Sequence, residues 1–186
     1  MRRACVQNKQ WQDAGLPSIK VSVNVSGRQL SQINLPEMTA RILLDTGLDA
    51  QYLGLELTES DVMQNVAAVI ATMGELQSMG VELSIDDFGT GYSSLSYLKR
   101  FPVSRLKIDQ SFVRDIATDP DDAAIAQAVI SLGHNLGLKV IAEGVETEEQ
   151  LAFLRERGCN EAQGNYYSKA VDADALRILL DGQRSV

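Results

Sequence analysis

The feature that most constrains the fold is a regular alternation of short strand-like segments with amphipathic helical segments along the 186-residue sequence. Segments with two-residue alternation or many β-branched residues indicate strands, and they lie at 19–25, 52–57, 81–85, 105–108, 138–142 and 161–163. Apolar residues at helical spacing predict helices at 1–13, 35–43, 62–76, 94–99, 125–136, 147–157 and 172–180. This order predicts a parallel sheet, either an open doubly wound sheet or a β/α barrel.

Polar side chains stand at or just after the end of each predicted strand. They are Asn24, Glu56, Asp86, Asp87, Lys107, Glu143 and Gln163. In a closed barrel the carboxyl ends of all strands surround one point, whereas an open sheet binds ligands only where the strand order reverses. The sequence therefore favours the barrel. Because such a barrel has eight strands and about 250 residues, we expect an incomplete barrel of about six strands, forming a single domain over residues 1–186.

Two adjacent carboxylates, Asp86 and Asp87, end the third predicted strand, and a loop with Gly89 and Gly91 follows them. Two neighbouring acids at the end of a buried strand repel each other, so a cation or several donors must compensate them. A metal ion is one interpretation. The other is that Asp87 starts a turn and caps a helix near Ser93, since Asp and Gly are ordinary turn residues. The other polar strand ends favour the metal.

The residues at the strand ends suit a pair of hard divalent cations. Mg²⁺ and Mn²⁺ prefer carboxylate and amide oxygens, and a pair of such ions stabilises phosphoryl transfer. Zinc is disfavoured because His134 is the only histidine, and we interpret His134 as a surface group. Nucleophilic catalysis by a Ser-His or Cys-His pair has no support, so Ser93 and Ser94 are interpreted as loop and capping residues.

Three further charged residues have two interpretations each. Lys107 either polarises a phosphate oxygen and holds a water, or simply pairs with neighbouring carboxylates. Glu59 and Glu146 each stand three residues after another acid of the predicted site. Either they support that site, or they interact favourably with the dipole at the start of a helix.

The composition limits the classes of partner. With a net charge of -8, the chain lacks the basic surface that drives binding to duplex nucleic acid. No apolar run reaches the roughly 18 residues that cross a bilayer, and the first residues lack the apolar core of a signal peptide. Cys5 and Cys159 have no metal-binding or disulfide spacing. We therefore expect no duplex nucleic acid partner, no membrane insertion and a cytoplasmic location.

The sequence also contains six characteristic blocks in order, namely SVNVSGRQL, ELTES, SIDDFGTGYSSLSYL, LKIDQSFV, VIAEGVET and CNEAQG. Together they resemble the EAL domain, the family of bacterial phosphodiesterases that open the second messenger cyclic di-GMP to linear pGpG. The resemblance implies a TIM-like (β/α) barrel whose first strand runs against the others. It also implies two Mg²⁺ or Mn²⁺ ions that activate a water for attack on a phosphodiester.

The resemblance assigns a role to each residue that matches a family motif. Metal ligands or near-ligands would be Asn24, Glu56, Asp86, Asp87 and Glu143. Residues acting in catalysis would be Lys107, Glu143, Gln163 and Glu59. Lys107 and Gln163 would orient the water or the phosphate, and Glu59 would brace the loop after the paired aspartates, which links the metal site to a dimer interface in this family. Substrate would bind at Gln163, Gly164 and Asn165, with Glu146 as a support behind the metal ligands.

The sequence departs from the family pattern at several positions. The Glu-Ala-Leu sequence is absent, and we expect the chain to begin after the first two family strands, without one metal ligand and a ligand-binding arginine. Asn165 stands where an aromatic residue is usual, Ala170 where a proline is usual, and Asn160 where an aspartate is common. We expect the exposed strand edges to be covered in a homodimer or by a partner that supplies the missing strands.

Two other functions are compatible with the same residues. One is a catalytically inactive cyclic di-GMP receptor or regulatory module, which the missing glutamate favours. The other is an enolase-like metal-dependent barrel that uses Lys107 as a base toward a carbon acid. The retained set of polar strand ends favours an ancestry of phosphodiester hydrolysis.

Overall fold

The computed structural model describes residues 1–32, 34–63, 65–91 and 95–182. Six parallel strands pair in the order of the chain and form one curled sheet. They are β1 (Val21–Asn24), β2 (Leu53–Thr58), β3 (Glu82–Phe88), β4 (Arg105–Ile108), β5 (Lys139–Ala142) and β6 (Glu161–Ala162). All six were expected from the sequence, and the predicted parallel α/β sheet is confirmed.

Ten helices connect and flank the strands in the described part of the chain. They are α1 (Arg2–Asp13), α2 (Gly27–Gln32), α3 (Leu35–Thr46), α4 (Glu59–Val62), α5 (Val66–Ser78), α6 (Leu95–Leu98), α7 (Gln110–Arg114), α8 (Pro120–Asn135), α9 (Glu148–Glu156) and α10 (Ala173–Gly182). The short helices α2, α4 and α7 were not predicted as separate elements, because one or two turns carry no measurable helical periodicity. In the part of the chain that the structure describes, no helix is both long and apolar enough to cross a membrane.

The predicted helix over 62–76 is wrong at its start. The structure ends α4 at Val62 and begins α5 at Val66, with Asn65 between them in the left-handed region at φ 54°. Asn tolerates this conformation better than most residues. The side chain of Thr58 accepts a hydrogen bond from the Asp61 amide, which caps α4 as an element of its own.

Apolar and polar residues alternate along the strands and so face opposite sides of the sheet. On β4, Leu106 and Ile108 are fully buried in the main hydrophobic core with the helices, while Lys107 between them forms ion pairs with carboxylates. Burying one such side chain contributes roughly 1.5–3 kcal/mol. The helices therefore cover one face of the sheet and leave the polar residues together on the other.

A ladder of ion pairs crosses that polar face at the end where the strands begin. Glu82 binds Lys20 and Arg105 with N to O distances of 2.5 Å each, and Arg105 reaches Glu161 at 2.5 Å. These side chains come from strands β3, β4 and β6 and from the segment before β1. The ladder lies two residues before Lys107 along β4, so the polar face carries a layer of charges near each end.

A second, smaller hydrophobic cluster joins the first and last helices. Trp11 of α1, Leu16 and Leu180 of α10 are buried there and contact one another, with Leu176 packed against them. Ile178, two residues before Leu180, is 72% exposed. The last helix is therefore held to the molecule through one narrow apolar stripe.

Candidate metal centre

Lys107 lies at the centre of a group of carboxylates at the ends of the strands. Its ammonium nitrogen is 2.6 Å from Glu56 Oε2, 3.0 Å from Asp86 Oδ1 and 2.6 Å from Glu143 Oε1. The residue is only 3% exposed. A buried lysine requires such partners, because burial without them disfavours the charged form.

The strand register explains why these four side chains meet. Glu56 of β2, Asp86 of β3 and Lys107 of β4 each point to the polar face of the sheet, and Glu143 directly follows β5. In a parallel sheet the carboxyl ends of neighbouring strands lie side by side. The expected convergence of polar strand ends is therefore observed for these four residues.

The paired aspartates do not end β3, as the sequence predicted, but lie inside it at an irregularity. Ile85 pairs with Leu106 and Phe88 pairs with Ile108, so three steps on β3 oppose two steps on β4. Asp87 takes the left-handed conformation at φ 54° within this bulge. A bulge interrupts the alternation of side chains. As a result, Asp86 and Asp87 face the same site although they are adjacent in sequence.

The bulge completes a group of three carboxylates that suits a cation. Asp86, Asp87 and Glu143 each place an oxygen within 4.8 Å of the others. Three oxygens from carboxylates at this spacing match the preference of Mg²⁺ and Mn²⁺ for oxygen ligands. Asn24 ends β1 beside Glu56, its Cα partner in register, and its side chain is exposed.

The electrostatics of the group follow from burial and from an excess of negative charge. Burial alone would lower the pKa of Lys107, but hydrogen bonds to Glu143 and Glu56 outweigh it and raise that pKa. Burial raises the pKa of Glu143, which the ion pair with Lys107 opposes. Burial and the adjacent Asp86 also raise the pKa of Asp87. Lys107 therefore stays protonated, while the carboxylates lack full compensation.

A hydrogen bond in which the protonated Asp87 carboxyl donates to Asp109 also raises the pKa of Asp87. Asp109 directly follows β4, accepts a hydrogen bond of 2.8 Å from the Ser111 amide and caps α7. Asp109 was not among the predicted site residues, although its place directly after a strand and two residues after Lys107 was an available signal.

Glu59 connects the start of α4 to the loop that follows the bulge. The residue is 2% exposed, and its Oε2 accepts hydrogen bonds from the amides of Gly89 at 2.9 Å and Gly91 at 3.3 Å. A β-carbon at Gly91 would lie 2.9 Å from Glu59 Oε1, so a larger residue would displace this contact. Glu59 therefore holds this loop through its backbone amides. Ser93 and Ser94 of the same loop lie outside the described residues.

The three residues after β6 line a groove of about 510 Å³ together with the residues that follow them up to Ala170. The Gln163 amide donates to Ala142 O at 2.8 Å, and Gln163 O accepts from the Val145 amide at 3.0 Å. A β-carbon at Gly164 would lie only 2.2 Å from Val145 O. Asn165 Nδ2 donates to Glu146 Oε1 at 3.0 Å. The backbone thus fixes this segment against the end of β5.

The remaining singled-out residues have structural explanations. His134 is exposed on α8, which confirms its interpretation as a surface group. Asn160 Oδ1 accepts a hydrogen bond of 2.7 Å from the Val140 amide, so it supports β5. Ala170 is exposed and lines the groove after β6.

The fold and this site define a class of protein, namely parallel α/β barrels with an acidic cation site at the carboxyl ends of the strands. The profile of the EAL domain matches residues 1–170. The chain belongs to the EAL domain family.

Curated relatives carry the same domain within longer chains. The bifunctional diguanylate cyclase/cyclic di-GMP phosphodiesterase MucR of Pseudomonas aeruginosa is 46% identical over 173 residues, which are 93% of this chain and 25% of MucR. The cyclic di-GMP phosphodiesterase NbdA of the same organism is 44% identical over 184 residues, covering 99% of this chain and 24% of NbdA. The chain thus spans about a quarter of the length of these relatives.

Solved structures confirm the EAL type of the fold. The PaMucR phosphodiesterase in complex with c-di-GMP superposes with a TM-score of 0.90 at 45% identity, covering 94% of this chain and 71% of that chain. The manganese/cy-diGMP complex of Klebsiella pneumoniae BlrP1 gives a TM-score of 0.81 at 31% identity, covering 90% of this chain and 42% of that chain. The predicted TIM-like architecture is therefore confirmed.

Proposed function

We propose that the chain is a cyclic di-GMP-specific phosphodiesterase domain, which hydrolyses cyclic di-GMP to linear pGpG. The observation that carries the proposal is the group of Asp86, Asp87 and Glu143 around Lys107, in a chain that belongs to the EAL domain family. The relatives MucR and NbdA are named as phosphodiesterases for this dinucleotide. PaMucR and BlrP1 were both solved with it bound.

The carboxylate group fits two Mg²⁺ or Mn²⁺ ions. Asp86, Asp87 and Glu143 would hold them, together with Glu56 and Asn24 at the neighbouring strand ends. Burial, and then neighbouring carboxylates, raise the pKa values of Asp87 and Glu143, so a bound cation would stabilise their charged forms. When bound, such ions polarise a phosphodiester and lower the pKa of a water.

The other residues of the site position the reactants. The protonated Lys107 keeps Glu56, Asp86 and Glu143 in place and supplies a positive charge toward a phosphate oxygen. Gln163 and Gly164 would bind substrate from the groove after β6, with Gln163 orienting the water or phosphate. Glu146 would support this wall, and Glu59 would keep the loop after the bulge in place.

The charge state of Lys107 argues against an enolase-like reaction. A lysine that acts as a base must be neutral before it takes a proton, and efficient bases have pKa values near the working pH. The carboxylates around Lys107 instead raise its pKa. Lys107 therefore serves as a fixed cation in the proposed reaction.

A receptor that binds cyclic di-GMP without cleaving it is the second candidate. The exposed position of Asn165 and its bond to Glu146 favour this candidate, since Asn165 replaces the usual aromatic residue beside the substrate groove. Both candidates place the domain in the bacterial cytoplasm, where a nucleotide second messenger acts. We also propose a homodimer or a strand-supplying partner chain, because β1 and β6 each pair with one strand in the described part.

The test is hydrolysis of cyclic di-GMP with Mg²⁺ or Mn²⁺, measured by chromatography of pGpG, on this chain and on a version extended at its N-terminus. Glu143→Gln is expected to reduce turnover by about 100-fold or more, because it removes a charged ligand. Glu156→Gln on the exposed side of α9 is the matched control and is expected to leave turnover unchanged. If both polypeptides bound cyclic di-GMP and neither cleaved it with metal, the phosphodiesterase proposal would be wrong and the receptor would take its place.

A further inference from the structure

Two neighbouring side chains after β6 are tied to acidic residues at the start of α9. Asn165 Nδ2 donates to Glu146 Oε1 at 3.0 Å, and the Tyr166 hydroxyl donates to Glu148 Oε2. The Tyr166 amide also donates to Val145 O at 2.9 Å. The segment that forms one wall of the groove is thus fixed on both sides of the Asn165 side chain.

The bond to Glu146 determines which way the Asn165 amide points. A carboxylate only accepts hydrogen bonds, so the NH₂ group of Asn165 must face Glu146 and its carbonyl oxygen must face away. Among the described residues, nothing donates a hydrogen bond to Asn165 Oδ1. Asn165 lines the groove of about 510 Å³ and is exposed there. The groove therefore contains an oriented acceptor without a protein partner.

The contact between Asn165 and Glu146 is exposed and therefore contributes little to the stability of the fold. Glu146 and Asn165 are both exposed, and hydrogen bonds and ion pairs at exposed positions contribute little to folding. Tyr166 is 40% exposed and packs edge-on against Tyr167, with ring centroids 5.3 Å apart. The arrangement orders the groove wall without being needed for the core.

We propose that Asn165, oriented by Glu146, is a specificity-determining residue that selects the guanine base of the dinucleotide through its carbonyl oxygen. The Watson–Crick edge of guanine carries two adjacent donors, N1–H and N2–H₂, whereas adenine has an acceptor at N1. Both guanine donors can reach an acceptor fixed in the groove, whereas adenine offers it only N6–H₂ with the acceptor N1 beside it, so the fixed acceptor favours the guanine edge. This inference rests on the proposed function, since it assumes that a cyclic dinucleotide occupies the groove.

The test compares the affinities for cyclic di-GMP and cyclic di-AMP by calorimetry in Ca²⁺, and hence independently of turnover. Asn165→Leu is expected to reduce the preference for cyclic di-GMP by about 3- to 10-fold, the effect of one hydrogen bond to a ligand. Asn165→Asp alone places two carboxylates in contact and is expected to weaken binding of both dinucleotides. Combining it with Glu146→Gln restores a donor–acceptor pair with reversed polarity and is expected to recover the preference.

Glu156→Gln, on the same helix α9 and 76% exposed, is the matched control and keeps the wild-type preference. An unchanged preference in Asn165→Leu, or a double variant that behaves like Asn165→Asp, would show that Asn165 does not select guanine. Neither result would contradict the proposed phosphodiesterase. Binding without cleavage by the wild type would overturn the phosphodiesterase and leave the Asn165 comparison valid. If the wild type bound neither dinucleotide, both proposals would be wrong.

Discussion

At the scale of single residues, Lys107 sets the charge balance of the site. Its ammonium group contacts the carboxylates of Glu56, Asp86 and Glu143, so one positive charge faces three acidic groups. The left-handed Asp87 brings a further carboxylate beside them. Both features favour added cations, and they make the protein without metal less stable than its packing alone would allow.

Replacing Lys107 by methionine removes the central cation and keeps much of the side-chain volume. We expect Lys107→Met to lower the free energy of unfolding by about 3–5 kcal/mol in a chelator at neutral pH, because one buried and two partly buried carboxylates are left without their partner. Urea unfolding followed by circular dichroism measures the change. Lys139→Met is the matched control. The Lys139 ammonium lies 3.8 Å from Glu161 Oε1 and the Lys139 side chain is 63% exposed, so we expect a change below about 1 kcal/mol. Equal losses in the two variants would contradict this explanation.

Asp87 links stability to pH and to metal. Burial and Asp86 raise its pKa in the folded state, so its charged form disfavours folding. Its favourable contribution is present below the pKa of the unfolded chain and is lost as the pH rises through the raised pKa of the folded state. Asp87→Asn should therefore raise the melting temperature in chelator at neutral pH, by the equivalent of less than about 1 kcal/mol because the group is partly exposed.

The same variant should lose most of the stabilisation that Mn²⁺ gives to the wild type, which is about 2.7 kcal/mol at 100 times the dissociation constant. Asn also tolerates the left-handed conformation, so backbone strain does not obscure the comparison. Thermal scans with and without Mn²⁺ at acidic and neutral pH measure both effects. An undiminished Mn²⁺ response in Asp87→Asn would remove Asp87 from the ligand set.

At the scale of elements, the segments after the strands are fitted closely together around the site. Gly164 is the clearest case, because a β-carbon there would lie 2.2 Å from Val145 O and 2.3 Å from Val145 N. No side chain can enter that space unless the segment after β6 moves away from β5. The position of the groove wall with Gln163 and Asn165 therefore depends on the absence of a side chain at Gly164.

Gly164→Ala is accordingly expected to lower the free energy of unfolding by about 1–3 kcal/mol, since overpacking forces the backbone apart. It should also weaken dinucleotide binding, because Gln163 and Asn165 move with the backbone. Gly74→Ala in α5 is the matched control: nothing lies within 4 Å of its added carbon, and we expect a gain of up to about 1 kcal/mol from helix propensity. Denaturant unfolding of both variants gives the comparison, and a stable Gly164→Ala protein would show that the segment yields easily.

The elements also show what the sequence could and could not predict. The six strands and the meeting of Glu56, Asp86, Lys107 and Glu143 followed from periodicity, because parallel strands bring their ends together whatever their exact bounds. The bulge at Asp87 was missed, since it depends on the pairing of β3 with β4 and not on local sequence. The contact of Asn165 with Glu146 was also missed, because it joins two irregular segments whose spacing only the folded chain defines.

At the scale of the whole molecule, the order of strands in space equals their order in the chain. Glu56, Asp86, Lys107 and Glu143 come from four consecutive strand ends, while the ladder of Lys20, Glu82, Arg105 and Glu161 spans the opposite end of the polar face. The negative charges behind the net charge of -8 are thus balanced at one end of the polar face and not at the other. The ladder neutralises itself at one end, and the excess of acid is concentrated where cations are proposed to bind.

The small cluster of Trp11, Leu16 and Leu180 gives the molecule a built-in optical probe. Trp11 is the only tryptophan of the chain and is 8% exposed where the first helix meets the last. Separation of α10 from α1 is therefore expected to shift its emission toward the red as the indole enters water. Fluorescence can thus follow the joining of the two ends of the chain separately from any change at the metal centre.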